Sequence, residues 1–114
     1  MDAGLEVYPG ESGDVRVLRV AGDVDLAKAP ELRERLALIP ADSGTVIIDM
    51  SQVSFLDSTG LSVLVASWKR FSGEDDHGKF RVVASRPAIQ RVFHVTGLTH
   101  VLRVFPTLEE AIKA

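Results

Sequence analysis

The spacing of hydrophobic positions changes several times along this chain, and the changes mark strands and helices. Short runs rich in valine and isoleucine indicate β-strands, and they fall at positions 5–8, 14–21, 45–50, 79–84 and 101–105. Apolar residues that recur every three or four positions indicate amphipathic helices, and they fall at 26–39, in a stretch that ends at Gly73, at 87–94 and in a short piece after Thr107. The pattern predicts two initial strands followed by alternating helices and strands.

Turn-forming residues predict where several elements begin and end. The segment 9–13 reads Pro-Gly-Glu-Ser-Gly, which favours a hairpin between the first two strands. Gly22 is expected to end the second strand. Pro30 is best accommodated in a first helical turn, so the first helix is expected to begin near Ala29. Thr107 and a glutamate three residues later have the spacing of a capping box, which predicts the start of a short last helix.

The apolar face of each predicted helix supplies a candidate core. The inward residues are Leu32, Leu36 and Ile39, then Leu61, Leu64, Val65, Trp68 and Phe71, then Ile89, Val92 and Phe93. Strands joined by helices pair in parallel through right-handed crossovers. The predicted fold class is therefore α/β, one domain over residues 1–114, with a mixed β-sheet that begins with an N-terminal hairpin and helices packed mainly on one face. The acidic segment 74–78 is expected to be an exposed loop.

Composition limits the possible functions. The 114 residues, 46% hydrophobic, suit one buried core, and 13 basic against 16 acidic residues give a net charge of −3, which does not indicate a nucleic-acid ligand. The absence of cysteine excludes disulfides and thiolate metal sites. No apolar run approaches the roughly 18 residues of a membrane-spanning helix, and the first residues lack the features of a secretory signal. We expect a cytoplasmic protein that does not enter the membrane.

The candidate chemistry lies in segment 49–61, which leads from the central strand into the second helix. Ser58 stands where that helix begins, and the first amides of a helix favour an anion. A phosphate on Ser58 would add about −1.5 to −2 charges beside Asp57, a large change for a chain of net charge −3. From these residues alone, the alternative is that Asp57, Ser58 and Thr59 simply cap the helix.

Three motifs in order resemble those of the STAS family, named for sulphate transporters and anti-sigma factor antagonists. Gly-Asp-Val-Asp at 22–25 is similar to the family's Gly-Glu-Leu-Asp, and Phe-Leu-Asp-Ser-Thr-Gly-Leu at 55–61 is similar to its Phe-Met-Asp-Ser-Ser-Gly-Leu. Phe-His-Val-Thr-Gly-Leu at 93–98 resembles a third element, Phe-Asp-Met-Ser-Gly-Leu. Together the motifs span most of the domain.

This resemblance implies partner switching. The unphosphorylated antagonist binds an anti-sigma factor serine kinase and releases a sigma factor, phosphorylation at Ser58 ends that binding, and a serine phosphatase reverses it. The implied partner-binding residues are Asp23, Asp25, Asp57, Ser58, Thr59, Gly60 and Ser62. Asp25 and Asp57 are alternatively only cap or turn residues. Thr59 replaces a family serine and offers a second possible acceptor, and Ser62 replaces a common glycine.

Other functions find less support. A nucleophilic site built from Asp57, Ser58 and His94 lacks the Gly-x-Ser-x-Gly elbow, so no enzyme is predicted. His77, His94 and His100 have no metal-binding spacing, and no phosphate-binding loop is present, so no metal or cofactor is expected. The remaining alternative is a STAS interaction or scaffold module that is not phosphorylated, in a signalling or lipid-transport assembly.

Two further expectations concern the surface and the oligomeric state. Arg81, Arg86 and Arg91 are scattered over different predicted elements, so we interpret them as solvated charges rather than a nucleic-acid site. No coiled-coil repeat is visible, and the chain is expected to be a monomer.

Overall fold

A computed structural model describes residues 2–10, 13–72 and 79–114. The elements in these ranges are β1 (Asp2–Tyr8), β2 (Val15–Val24), α1 (Ala29–Ala37), β3 (Thr45–Leu56), α2 (Ser58–Ser72), β4 (Phe80–Val83), α3 (Pro87–Val95), β5 (Val104–Phe105) and α4 (Leu108–Lys113). Gly73 and the segment 74–78, predicted as a helix stop and a loop, lie outside the described residues.

The strands form one sheet in the order β1-β2-β3-β4-β5. Strands β1 and β2 are antiparallel, and each later pair is parallel. The predicted N-terminal hairpin and mixed α/β sheet are therefore confirmed. The carboxyl ends of β2, β3, β4 and β5 lie at the same edge of the sheet, which is where connections to helices begin.

The core has two parts, because alternate strand residues face opposite sides of the sheet. In β3, Val46 and Ile48 belong to the larger cluster, which also contains the buried residues of α1, α2 and α3. Ile47 points the other way, into a small cluster with Ala111 of α4. Three helices thus cover one face and α4 packs on the other, which confirms the prediction of helices mainly on one face.

The predicted helix faces are also confirmed. Eight of the predicted inward residues are buried, and Val65, Trp68 and Val92 are partly buried. Helix α1 begins at Ala29, with Pro30 in its first turn. The Thr107 hydroxyl accepts a hydrogen bond from the Glu110 amide at 3.2 Å, so the predicted cap of α4 is present.

The bounds of several strands differ from the prediction. Strand β2 continues past Gly22, which has φ +89° and lies next to a register shift. Glycine adopts this conformation without steric cost and lets the strand bulge instead of ending. Strand β3 extends to Leu56 because it pairs with this continuation of β2. At the other end, β5 contains only Val104–Phe105, since turns occupy the rest of the predicted strand.

The interpretation of Arg81 as a solvated charge was wrong. Its side chain is only 8% exposed, and its guanidinium donates to the carbonyl oxygen of Ala111 at 2.7 Å. Burial, with a smaller effect of Arg103, lowers the pKa of Arg81 below its usual value. Arg81 therefore joins β4 to the last turn of α4. Arg86 and Arg91 are exposed, as predicted.

Candidate functional site

The pairing of β2 with β3 brings two of the three sequence motifs together. Asp23 lies opposite Phe55, and Val24 lies opposite Leu56. The next residue, Asp57, leads directly into α2. Asp23, Asp25 and the start of α2 are consequently neighbours at the carboxyl edge of the sheet.

Asp57 caps α2 and ties it to the segment after β2. Its Oδ1 accepts hydrogen bonds from the amides of Thr59 at 3.0 Å and Gly60 at 3.1 Å, the arrangement of an N-cap aspartate. Its Oδ2 accepts from the Leu26 amide at 3.1 Å. The hydrogen bond from the Thr59 hydroxyl, followed by those from these amides, lowers the pKa of Asp57. The ionised carboxylate therefore stabilises the start of α2, which supports the interpretation of Asp57 as a helix cap.

The two candidate acceptor hydroxyls are in different environments. Thr59 is partly buried, and its Oγ1 donates to Asp57 Oδ1 at 2.5 Å. Ser58 is exposed on the first turn of α2, and its hydroxyl makes no hydrogen bond to any described residue. Ser58 is the hydroxyl that another protein can reach without breaking the cap.

The expectation that helix amides would hold a phosphate on Ser58 needs correction. The amides of Thr59 and Gly60 already donate to Asp57, and the Leu61 amide donates to the Asp57 carbonyl at 3.0 Å. A phosphate on Ser58 would thus find the Thr59, Gly60 and Leu61 amides in use and would lie next to Asp57 in the chain. Neighbouring negative charges repel, so we expect modification to change the charge of the surface.

The other predicted acidic residues have different surroundings. Asp25 Oδ1 accepts from the Lys28 amide at 3.1 Å, and the Asp25 carbonyl accepts from Lys28 and Ala29. The side chain of Asp25 therefore forms the turn before α1, and among the described residues no hydrogen bond joins it to Ser58. Asp23 is exposed and contributes negative charge to the surface.

Gly60 has a packing role. It is buried, and a Cβ at this position would lie 2.6 Å from Leu56 Cδ1 and 2.9 Å from Val24 Cγ1. Glycine thus allows the first turn of α2 to approach both central strands. Because Gly60 is buried, a partner is not expected to contact it directly. Its role is to let the first turn of α2, which carries Ser58, pack closely on the strands.

Ser62 lies one turn after Ser58 on the same side of α2. It is exposed, and its hydroxyl donates to the Ser58 carbonyl oxygen at 2.9 Å. Such a bond to the residue four positions earlier is common for serine within helices. Ser62 is therefore on the surface that surrounds the candidate acceptor, as the sequence predicted.

Two exposed apolar side chains extend this surface, and the motif analysis did not identify them as contacts. Leu26 is 72% exposed and Phe55 is 51% exposed. Leu26 is tied to Asp57 through its amide, and Phe55 lies opposite Asp23. The exposed residues that lie near Asp57 through the chain or the β2–β3 pairing, hereafter the acceptor face, are Asp23, Leu26, Phe55, Ser58 and Ser62. Large apolar side chains beside a polar rim are typical of protein-binding surfaces.

The structure does not assemble the nucleophilic site considered from sequence. Both carboxylate oxygens of Asp57 accept hydrogen bonds from α2 or Leu26. His94 is exposed in the last turn of α3 and makes no hydrogen bond to Asp57 or Ser58. In the described ranges no three metal-ligating side chains form a group, and His77 lies outside them. No helix in those ranges is long and apolar enough to span a membrane.

Comparisons with known proteins agree with the motifs. A family model for the STAS domain matches residues 9–111. The anti-sigma-F factor antagonist RsfB of Mycobacterium tuberculosis is 35% identical over 109 residues, which cover 95% of this chain and 87% of that protein. The anti-sigma-B factor antagonist of Bacillus subtilis is 29% identical over 113 residues, covering 99% and 100%. A crystal structure of an anti-sigma factor antagonist from Mycobacterium paratuberculosis has a TM-score of 0.81 at 33% identity and covers 98% of this chain and 92% of its own.

Proposed function

The chain belongs to the STAS domain family, and on that basis we propose that it is an anti-sigma factor antagonist that works by partner switching. Its unphosphorylated form binds an anti-sigma factor serine kinase and so releases a sigma factor. Phosphorylation of Ser58 ends the binding, and a serine phosphatase restores it. The relatives named as anti-sigma factor antagonists support the general role, and the acceptor face supports the switch.

The observation that carries the switch is the contrast between Ser58 and Thr59. A kinase needs a hydroxyl that can enter its active site and lie in line with the γ-phosphate. Ser58 is exposed, whereas the Thr59 hydroxyl is engaged with Asp57. Phosphorylation of Thr59 would break the cap of α2, so Ser58 is the favoured acceptor.

The charge of the acceptor face explains how a phosphate would release the kinase. The unmodified surface carries Asp23 near two exposed apolar side chains, Leu26 and Phe55. A phosphate adds about −1.5 to −2 charges at Ser58, next to Asp57. The kinase surface that binds the uncharged serine would then have to remove water from the phosphate, which costs free energy. If that surface is itself acidic, it would also repel the phosphate, so in both cases association weakens.

The chain acts in this scheme as a substrate and regulator, not as an enzyme. The kinase supplies the nucleotide site, and Ser58 supplies the oxygen that attacks the γ-phosphate and loses its proton. We place the protein in the cytoplasm as a monomer. The switch then requires only a one-to-one complex with the kinase, and the sigma factor is controlled indirectly.

Peptide-resolved mass spectrometry tests the acceptor assignment. The chain is incubated with ATP and a panel of anti-sigma factor kinases, including those bound by anti-sigma-F and anti-sigma-B factor antagonists. Wild type, Ser58→Ala and Thr59→Val are compared. We expect one phosphate on Ser58 in wild type and Thr59→Val, and none in Ser58→Ala.

Two results would contradict the proposal. Phosphate on Thr59 in wild type would show that the cap opens for the kinase. A stable kinase complex that ATP neither modifies nor dissociates would instead identify a constitutive antagonist or a scaffold module. Intact mass will verify each substitution, and circular dichroism will check that each variant retains the fold.

A further inference from the structure

A cavity lies at the carboxyl edge of the sheet, outside the ends of β4 and β5. Its volume is about 630 Å³, within the range of about 300–1,000 Å³ that is common for small-molecule sites. The apolar part of its lining consists of Ala84, Pro87, Val95, Val104, Phe105 and Pro106. Val95 is 69% exposed, so apolar surface continues to the mouth of the cavity.

The connections of the sheet explain why a cavity opens at this place. The chain leaves β4 and forms α3, which packs on the same face as α1 and α2. It leaves β5 and forms α4, which packs on the opposite face. Neighbouring parallel strands whose connections diverge to opposite faces leave a crevice between them, and this is the usual location of ligand sites in open α/β sheets.

The polar groups of the cavity are cationic or neutral. Arg91 and His94 line it from α3, together with Gln90 and Thr99, and none of the described residues in the lining is acidic. The sequence reinforces this, because positions 79–108 contain five basic residues and no aspartate or glutamate. Of these five, Arg91 lines the cavity, whereas Arg81 is buried against α4.

Arg103 lies next to Phe105, one of the residues that line the cavity. Arg103 has φ +50°, a left-handed conformation that is uncommon and costly for a residue other than glycine. Its guanidinium lies 5.9 Å from the centre of the Phe105 ring, which is within the range of a cation–π contact. Phe105 therefore presents an aromatic wall to the cavity with a positive charge close by.

We propose that this cavity binds a small organic anion that has a carboxylate head and an apolar body. The guanidinium of Arg91 would donate two hydrogen bonds to the carboxylate from its planar fork of N–H groups, and an N–H of His94 would be a second donor in the lining. The apolar body would lie against Phe105, Val104 and Pro87. Gln90 Nε2 already donates to the Ala84 carbonyl oxygen at 2.8 Å. This carbonyl therefore needs no hydrogen bond from the apolar body of the ligand.

The class of ligand follows from two features of the lining, namely the positive charge of Arg91 and the apolar side chains around it. A neutral apolar molecule would leave Arg91 unpaired, and an inorganic anion would leave the apolar walls in contact with water. A nucleic acid or an acidic protein segment would use the positive charge without filling a concave apolar lining of this size. The combination favours a compact amphipathic acid.

NMR titration of the full chain tests the proposal, with octanoate as the probe. Octanamide keeps the alkyl chain without the charge, and acetate keeps the charge without the chain. We expect saturable shifts of the Gln90, His94 and Thr99 amides with octanoate, and affinities at least about tenfold weaker for both other probes. Arg91→Gln is expected to weaken octanoate binding by at least about tenfold.

Arg33→Gln is the matched control, because Arg33 is an exposed arginine on another helix, α1, and it should leave octanoate binding unchanged. Three results would overturn the proposal. They are no saturable octanoate shifts around the cavity, equal binding of octanamide or acetate, and octanoate binding that survives Arg91→Gln. Unchanged amide spectra of the free variants show that neither substitution alters the fold.

Discussion

The ends of two neighbouring strands, β3 and β4, lie at the same edge of the sheet yet have opposite surroundings. Where β3 ends, Asp57 accepts hydrogen bonds from the first amides of α2, Asp23 lies nearby on β2, and Ser58 presents an exposed hydroxyl. Where β4 ends, α3 and β5 diverge and leave a cavity lined by Arg91 and His94. The first region presents a hydroxyl on the surface beside a carboxylate, and the second is a concave surface with an apolar lining and one arginine.

Charge distribution along the chain follows this division. All sixteen acidic residues and eight of the thirteen basic ones lie outside positions 79–108. A hydrogen bond from Arg86 Nη1 to Ser54 Oγ at 3.2 Å connects the two regions through the loop after β4. Adjacent strand ends of one small sheet thus carry opposite charge, and each favours a different class of binding partner.

A negative charge at Ser58 should have the largest effect on binding to the anti-sigma factor, whereas the same charge near the end of β4 should have little effect. We expect Ser58→Glu to weaken binding to the anti-sigma factor by about 100-fold or more, equivalent to about 2.7 kcal/mol. Ser85→Glu is the control, since Ser85 is an exposed serine after the neighbouring strand β4. Titration calorimetry of both variants against the same factor makes the comparison. Equal loss in both would show that general charge, not the acceptor face, governs binding.

Gly60→Ala tests the packing beneath the acceptor face. Its Cβ would overlap with Leu56 and with the stiff side chain of Val24. We expect the free energy of unfolding to fall by up to about 2 kcal/mol, because overpacking costs about 1–3 kcal/mol and a gain of about 1 kcal/mol in helix propensity offsets only part of it. In urea unfolding, Gly4→Ala should change little, since a Cβ at Gly4 meets nothing within 4 Å. A neutral Gly60→Ala would show that Val24 and Leu56 move aside easily.

Removal of the Asp57 carboxylate should have a smaller effect on stability. Asp57→Ala is expected to lower the Tm by a few degrees, as is usual when an N-cap is lost, while Asp57→Asn keeps an acceptor oxygen and should lose less. Thermal unfolding followed by circular dichroism measures both. A larger loss for asparagine than for alanine would be inconsistent with the capping role.

The pH dependence follows from the sign of the Asp57 shift. Because folding lowers the pKa of this carboxyl below its ordinary value of 3.8, the ionised cap stabilises the fold fully above that value. This stabilisation is lost as the pH falls through the lower, folded-state pKa. The difference in stability between wild type and Asp57→Asn should therefore be constant near neutral pH and shrink in acid. A difference that grows on acidification would mean that the pKa is raised instead.

The smallest effect is expected at Ser62. Its hydroxyl bonds only to the Ser58 carbonyl oxygen, on an exposed helix surface, so Ser62→Ala should change the free energy of unfolding by less than about 0.5 kcal/mol. The kinase should still phosphorylate Ser58 in Ser62→Ala, as measured by peptide mass spectrometry. Loss of Ser58 modification in Ser62→Ala would show that Ser62 helps to present the acceptor.

Most of the fold could be predicted because it depends on local patterns. The helical spacing of Leu32, Leu36 and Ile39 indicated the buried face of α1 before any contact was known. The turn residues at 9–13 and the cap at Thr107 likewise act over a few positions. Such features depend on nearby residues in the sequence, so one sequence is enough to identify them.

The features that were missed depend on distant residues. Gly22 is a residue type that often ends a strand. Here β2 continues past it with a bulge, because β2 still pairs with β3 beyond this position. Arg81 resembles a surface charge until Ala111, thirty positions later, folds over it. The site shows the same limit, because the position of Ser58 at a helix start could be read from the motif, but the use of the amides by Asp57 required the three-dimensional structure.

The most direct test of the central claim compares the unmodified chain with a chain phosphorylated only at Ser58, prepared with the kinase and verified by peptide mass spectrometry. Affinity for the anti-sigma factor is measured for both forms, and again after phosphatase treatment. We expect tight binding of the unmodified form, a loss of about 100-fold or more on phosphorylation, and full recovery after dephosphorylation. Equal affinity of the two forms would contradict it and leave the chain as a constitutive binder.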